Sequence, residues 1–134
     1  MTETDALGSP ADNRELTILT TDVASSTALL RRYPNEILAA MDLHDEILTV
    51  AIRAHSGVVF RHTGDGLLAV FERPLDAVLA AIDAQRAMRE AGWGPVGRLR
   101  LRYGIHSGLT RSRGPTDFFG PSLDRKSTRL NSSH

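Results

Sequence analysis

Two aspartates carry the chemistry this sequence could perform. Asp65 sits between Gly64 and Gly66 in the stretch VVFRHTGDGLLAVF, and Asp22 closes the earlier apolar run LTILTTD. Alone, Gly-Asp-Gly is only a common turn. A second carboxylate at another strand end changes that, because two such acids can share divalent metal. Oxygen ligands suit Mg²⁺, and the amides that come free where a strand stops suit phosphates. The pair therefore points to phosphoryl chemistry. The turn from Val23 through Ala24, Ser25, Ser26 and Thr27 is expected to add free amides at a helix N-terminus, a cradle for a polyphosphate.

The elements around these residues must hold them together. Val58 to Phe71 reads as a β-hairpin, with β-branched and aromatic residues on either side of the glycines and Asp65 projecting from the tip. Glu15 to Asp22 reads as a short strand. Ser25, Ser26 and Thr27 offer N-cap hydroxyls for a helix running to about Tyr33, where Pro34 stops it. From Asn35 to His55 the spacing of Ile37, Met41, Leu48 and Ala51 predicts a long packing helix that Gly57 ends. His44 on its apolar side is expected to be a hydrogen-bonded, semi-buried histidine. Pro74 opens a third helix, with Val78, Ala81, Ile82 and Met88 predicted to face the sheet. Gly92 to Gly97 is a loop in which Trp93 packs as a lid.

Arg98 to Ser107 alternates most clearly. Leu99, Leu101, Tyr103 and Ile105 point one way; Arg98, Arg100 and Arg102 point the other, towards solvent or a second subunit. His106 is read as a strand-end residue, Thr110 to Thr116 as a mobile loop, and Asp117-Phe118-Phe119-Gly120 as the start of another segment. The order βααββαβ is most of a ferredoxin-like α+β sandwich with its final portion absent. In such a sheet the hairpin and the first strand lie side by side at the centre, which would bring Asp22 and Asp65 together.

Composition bounds the rest. At 134 residues the chain is about one domain, and with no cysteine it has neither disulfides nor a thiolate metal site, which makes a cytoplasmic setting the default. No apolar run approaches the roughly 20 residues of a membrane span. The formal charge is zero, and no basic cluster argues for nucleic acid as a partner. Residues 1–13 read as a disordered leader or linker, and 14–123 as the catalytic-type domain. Residues 124–134, DRKSTRLNSSH, hold the only lysine, Lys126, in a chain otherwise rich in arginine. They resemble a translated sequencing-library adapter, so the natural sequence is expected to stop being represented at about Leu123. Without them the charge turns slightly acidic.

Five pieces, LTILTTDVASST, HSGVVFRHTGDGLLAVF, DAVLAAIDAQRAM, LRLRYGIHSG and DFFGPSL, resemble in that order the class III purine nucleotide cyclases of bacteria, from about Glu15 to Leu123. The resemblance implies an adenylate cyclase of signal transduction that converts ATP to cyclic AMP and pyrophosphate. It implies two Mg²⁺ or Mn²⁺ ions held by Asp22 and Asp65 with the Val23 carbonyl. It also implies a head-to-tail homodimer with composite sites, with Arg61 and Asp117 at the base-reading positions. Family members that use ATP usually have lysine where Arg61 stands. A cationic donor there suits adenine N1, and Asp117 can accept from the adenine amino group, which favours ATP over GTP. Ala24 and Ser25 replace the family's acid and glycine, so looser phosphate binding is expected. By register the family's transition-state asparagine and arginine fall at Asp124 and Thr128, which cannot do that work, so this 134-residue species is expected to have little or no activity. A cyclase-like module that binds nucleotide or dimerises without turnover is the alternative. Another two-metal enzyme, a diguanylate cyclase or polymerase, lacks support: there is no Gly-Gly-acid-Glu-Phe turn and no basic surface.

Overall fold

A computed structural model of the chain describes residues 12–114 and 117–119. The elements run β1 (Asp12–Val23), α1 (Ser26–Arg32), α2 (Glu36–Ala54), β2 (Val58–His62), β3 (Gly66–Phe71), α3 (Pro74–Glu90), a short 3₁₀ turn (Gly94–Val96), β4 (Leu101–Gly114) and β5 (Asp117–Phe119). They form one antiparallel sheet in the order β2-β3-β1-β4-β5. The expected α+β sandwich and its element order are both present, with β1 beside the hairpin strand β3 at the sheet centre. The proposed division at 124 and the expected tail lie outside the described residues, as do residues 1–11.

Alternation along β1 and β3 sends odd-numbered side chains to the face that carries the helices. There Leu19, Leu67, Ala69 and Phe71 meet Leu48, Ala51 and Ile52 of α2 and Ala77, Ala80, Ala81 and Ala84 of α3 in one buried cluster. Even-numbered Leu16, Ile18, Leu68 and Val70 form a second cluster on the other face. At the site end, Val23, Ile37, Ala40, Met88, Trp93 and Leu99 make a third, and Trp93 Nε1 donates to the Met88 carbonyl at 2.8 Å, which suits the lid role.

Several expectations are corrected. Of the stripe expected on α3, Ala81 and Met88 are buried, together with Ala77, Ala80 and Ala84, whereas Val78 and Ile82 are 38% and 39% exposed. Small side chains let the helix approach the sheet closely, and this pushes the larger ones outward. The left-handed residue ending α2 is Ser56, at φ 64, and not Gly57. Gly57 N–H donates to the Ile52 carbonyl and Ser56 N–H to the Arg53 carbonyl, the paired bonds of a Schellman end. Gly57 is needed for space instead, since a Cβ there would stand 2.4 Å from the Phe71 ring. His44 is buried completely rather than partly: Nδ1–H donates to the Asp45 carboxylate at 2.8 Å, and Nε2 has no partner. Finally, β4 starts at Leu101 and extends to Gly114, because its ladder with β1 continues to the Asp12–Ser112 pair. The stretch expected to be a mobile loop is therefore largely strand, and β1 begins within the expected leader.

Candidate functional site

The β1–β3 ladder ends on the pair Asp22–Gly66, and the Val23 amide donates to the Asp65 carbonyl at 3.0 Å. The two aspartates are thus fixed at one strand end, although far apart in sequence. Gly66 makes this possible: a Cβ on it would lie 1.9 Å from the Thr21 carbonyl oxygen. Leu67 N–H donates to Thr21 Oγ1 at 3.1 Å and locks the same register. At the tip, Gly64 takes φ 81, and Thr63 N–H donates to the Gly66 carbonyl at 3.0 Å.

Each carboxylate has its own partner. Asp22, with a side chain only 4% exposed, accepts from Arg102 Nη2 at 2.6 Å across the β1–β4 pair. Asp65 accepts from the Ser26 hydroxyl at 2.8 Å. By its spacing Arg102 belongs to a row facing solvent or a second subunit; the cross-strand register is what sets it on Asp22, and alternation alone carries no sign of that. Burying a carboxylate costs several kcal/mol without a counter-charge, and Arg102 supplies one.

The turn after β1 differs from expectation. The Val23 amide is taken by Asp65 and the Ala24 amide donates to the Arg100 carbonyl at 2.8 Å, so these two are not open to a phosphate. Ser25 stands at the N-cap of α1 with φ 60 and makes no side-chain cap. Ser26 spends its hydroxyl on Asp65 rather than on the helix, and Thr27 is exposed. The left-handed backbone at Ser25 is the conformation for which glycine is the natural residue, at a cost to serine of about 1–2 kcal/mol.

The base-reading candidates lie elsewhere. Arg61 is exposed on β2, with its guanidinium 5.2 Å from the Phe60 ring centre, next to a register shift in the β2–β3 ladder. Asp117 opens β5, paired through its backbone with Gly114, and its side chain is outside the described residues. Strands β2 and β5 are opposite edges of the sheet, so one chain does not bring Arg61 and Asp117 together.

The donor set at the strand end is two carboxylates, with no histidine or thiolate beside them. Among the described residues no cluster of three or more acidic, histidine or cysteine side chains occurs. Two carboxylates would suit a hard, oxygen-preferring divalent ion that completes its shell with water and phosphate oxygens, and would not suit a tetrahedral zinc site.

No protein-family profile matches the chain. An uncharacterised protein of Mycobacterium tuberculosis is 32% identical over 121 residues, 89% of this chain and 40% of that protein, so the chain spans about two fifths of the length of the curated relatives it matches first. Among solved structures, the guanylyl cyclase Cya2 superposes with a TM-score of 0.73 at 25% identity, over 86% of this chain and 68% of that one. An adenylate/guanylate cyclase/hydrolase from Silicibacter pomeroyi gives a TM-score of 0.70 at 31% identity, over 84% and 67%. Among the described residues no helix is long and apolar enough to cross a membrane. With the aspartate-bearing strand end, the sheet order and these likenesses taken together, the chain belongs to the class III adenylate/guanylate cyclase catalytic-domain family.

Proposed function

We propose that the parent protein is an adenylate cyclase that converts ATP to cyclic AMP and pyrophosphate, acting as a homodimer with composite sites. The observation that carries this reading is the meeting of Asp22 and Asp65 at one strand end, each held by its own polar partner. In it, Asp22, Asp65 and the Val23 carbonyl would hold two Mg²⁺ or Mn²⁺ ions. Such ions, when bound, supply the Lewis acidity that helps ionise the ribose 3′-hydroxyl and offsets charge on the departing pyrophosphate. The protein's part is orientation. Ser26 fixes the rotamer of Asp65, Gly66 sets the hairpin tight against β1, and Arg102 holds the buried Asp22 carboxylate in place. A partner copy would supply Arg61 and Asp117, a donor and an acceptor that match adenine N1 and its amino group rather than guanine.

A second reading, a cyclase-like module that binds or dimerises without turnover, draws on the turn. Its Ala24 amide is consumed by Arg100, and Ser25 sits where glycine is preferred. A version of the protein with native sequence after Leu123, given ATP or GTP with Mn²⁺, separates the two. Cyclic AMP formation that Asp22→Asn and Asp65→Asn each lower by at least a hundredfold supports the cyclase, and nucleotide binding without product supports the module. The 134-residue chain itself, in which the family register sets Asp124 and Thr128 at the transition-state positions, is expected to give little or no product.

A further inference from the structure

On the helix-bearing side of the sheet, opposite the face of Asp22, a pocket of about 310 Å³ opens between the end of α3 and the segment leading into β4. Its polar lining is Arg89, Arg98 and Arg100 with Gln85 and Tyr103, over a floor that includes the buried Met88 and Leu99. Among the described residues no carboxylate lines it, and none of these three guanidiniums takes part in a salt bridge. All three arginines are exposed, and three like charges around one concavity give it a positive potential that attracts a ligand of opposite sign. Guanidinium forks match phosphoryl oxygens in pairs, and the volume falls at the lower end of the range for small-molecule sites.

We propose that this pocket is a binding site for a small phosphoryl-bearing anion, separate from the aspartate pair. It is also connected to that pair. The Arg100 carbonyl holds the Ala24 amide at 2.8 Å, one residue before the Ser25–Ser26 turn that contacts Asp65. An anion gripped by the Arg98 and Arg100 side chains therefore steadies the segment on which that turn hangs, and the site is placed to report phosphoryl levels to the aspartate end.

The test is calorimetric titration of the chain with pyrophosphate and with inorganic phosphate, in EDTA and at constant ionic strength set with chloride. Saturable binding is expected, weakened at least tenfold in Arg98→Gln/Arg100→Gln, several-fold in Arg89→Gln, and unchanged in Arg53→Gln, which removes the same charge from an exposed position on α2. Slower amide exchange at Ala24 in the presence of pyrophosphate is expected as well. Absence of saturable binding, wild-type affinity in the Arg98, Arg100 and Arg89 variants, or an equal loss in Arg53→Gln would each overturn the site. Binding without any change at Ala24 would overturn the connection while the site stands.

Discussion

Replacing Gly66 by alanine tests the packing that joins the two aspartates. The added Cβ would stand 1.9 Å from the Thr21 carbonyl oxygen, 2.8 Å from its carbon and 3.2 Å from the Asp22 Cα. Those are backbone atoms, so no side chain can swing aside. To reach ordinary contact at 3.4 Å, β1 and β3 must part by about 1.5 Å at the pair Asp22–Gly66. Three hydrogen bonds cross or close that junction: Val23 N–H to the Asp65 carbonyl, Thr63 N–H to the Gly66 carbonyl, and Leu67 N–H to Thr21 Oγ1. At about 1 kcal/mol each, their loss costs about 3 kcal/mol, a large share of the stability of a domain this size. Gly64→Ala is the control, since nothing lies within 4 Å of its added Cβ and the cost is only that of φ 81, about 1 kcal/mol. Urea unfolding followed by circular dichroism ranks the two. If Gly66→Ala unfolds at the wild-type midpoint, or later than Gly64→Ala, the close approach of β1 and β3 is wrong, and with it the placement of Asp65 against Asp22.

Other expectations follow from the same geometry. Ser25→Gly and Ser56→Gly each relieve a left-handed serine and should raise the urea midpoint by the equivalent of about 0.5 kcal/mol, after allowing for the extra freedom glycine gives the unfolded chain; a fall in either would contradict the backbone described there. Arg102→Ala leaves the Asp22 carboxylate 4% exposed without its cation and should cost about 1–3 kcal/mol in EDTA; on the metal-binding reading, Mn²⁺ should then raise the melting temperature more for this variant than for wild type. Tyr103 ionises near 12 in the folded chain against about 10 unfolded, so unfolding releases its proton more readily. Stability is therefore level below pH 10 and falls between pH 10 and 12, a drop that Tyr103→Phe should remove in alkaline urea titrations.

What the sequence made legible depended on local chemistry. Alternation in LTILTTD and the glycines flanking Asp65 fix a strand and a hairpin, and topology then leaves few ways to arrange them other than side by side. What it hid depended on distance. Val78 and Ile82 outrank alanine on any hydrophobic scale, yet the closeness of α3 to the sheet selects the alanines, and closeness is not written in one helix's own residues. At the end of α2 a serine and a glycine stand next to each other, and the glycine is kept for Phe71 rather than for the turn.

Arg102 shows the same limit with a functional consequence. In the run from Arg98 to Ser107 it is one of three arginines at alternate positions, which reads as a single row facing solvent or a second subunit. Arg102 meets a buried carboxylate because β1 pairs it with Asp22, whereas Arg98 and Arg100 precede the strand and turn into a pocket free of carboxylates. The row is thus split by the point at which the ladder begins, at Leu101. One arginine serves the aspartate pair, and the others are left with uncompensated charge on the far side of the sheet. A change that lengthened β4 backwards by two residues would pull Arg100 into the ladder, take its carbonyl from Ala24 and disturb the turn at Ser25. The start of β4 therefore bears on the aspartate end as directly as the acids themselves do.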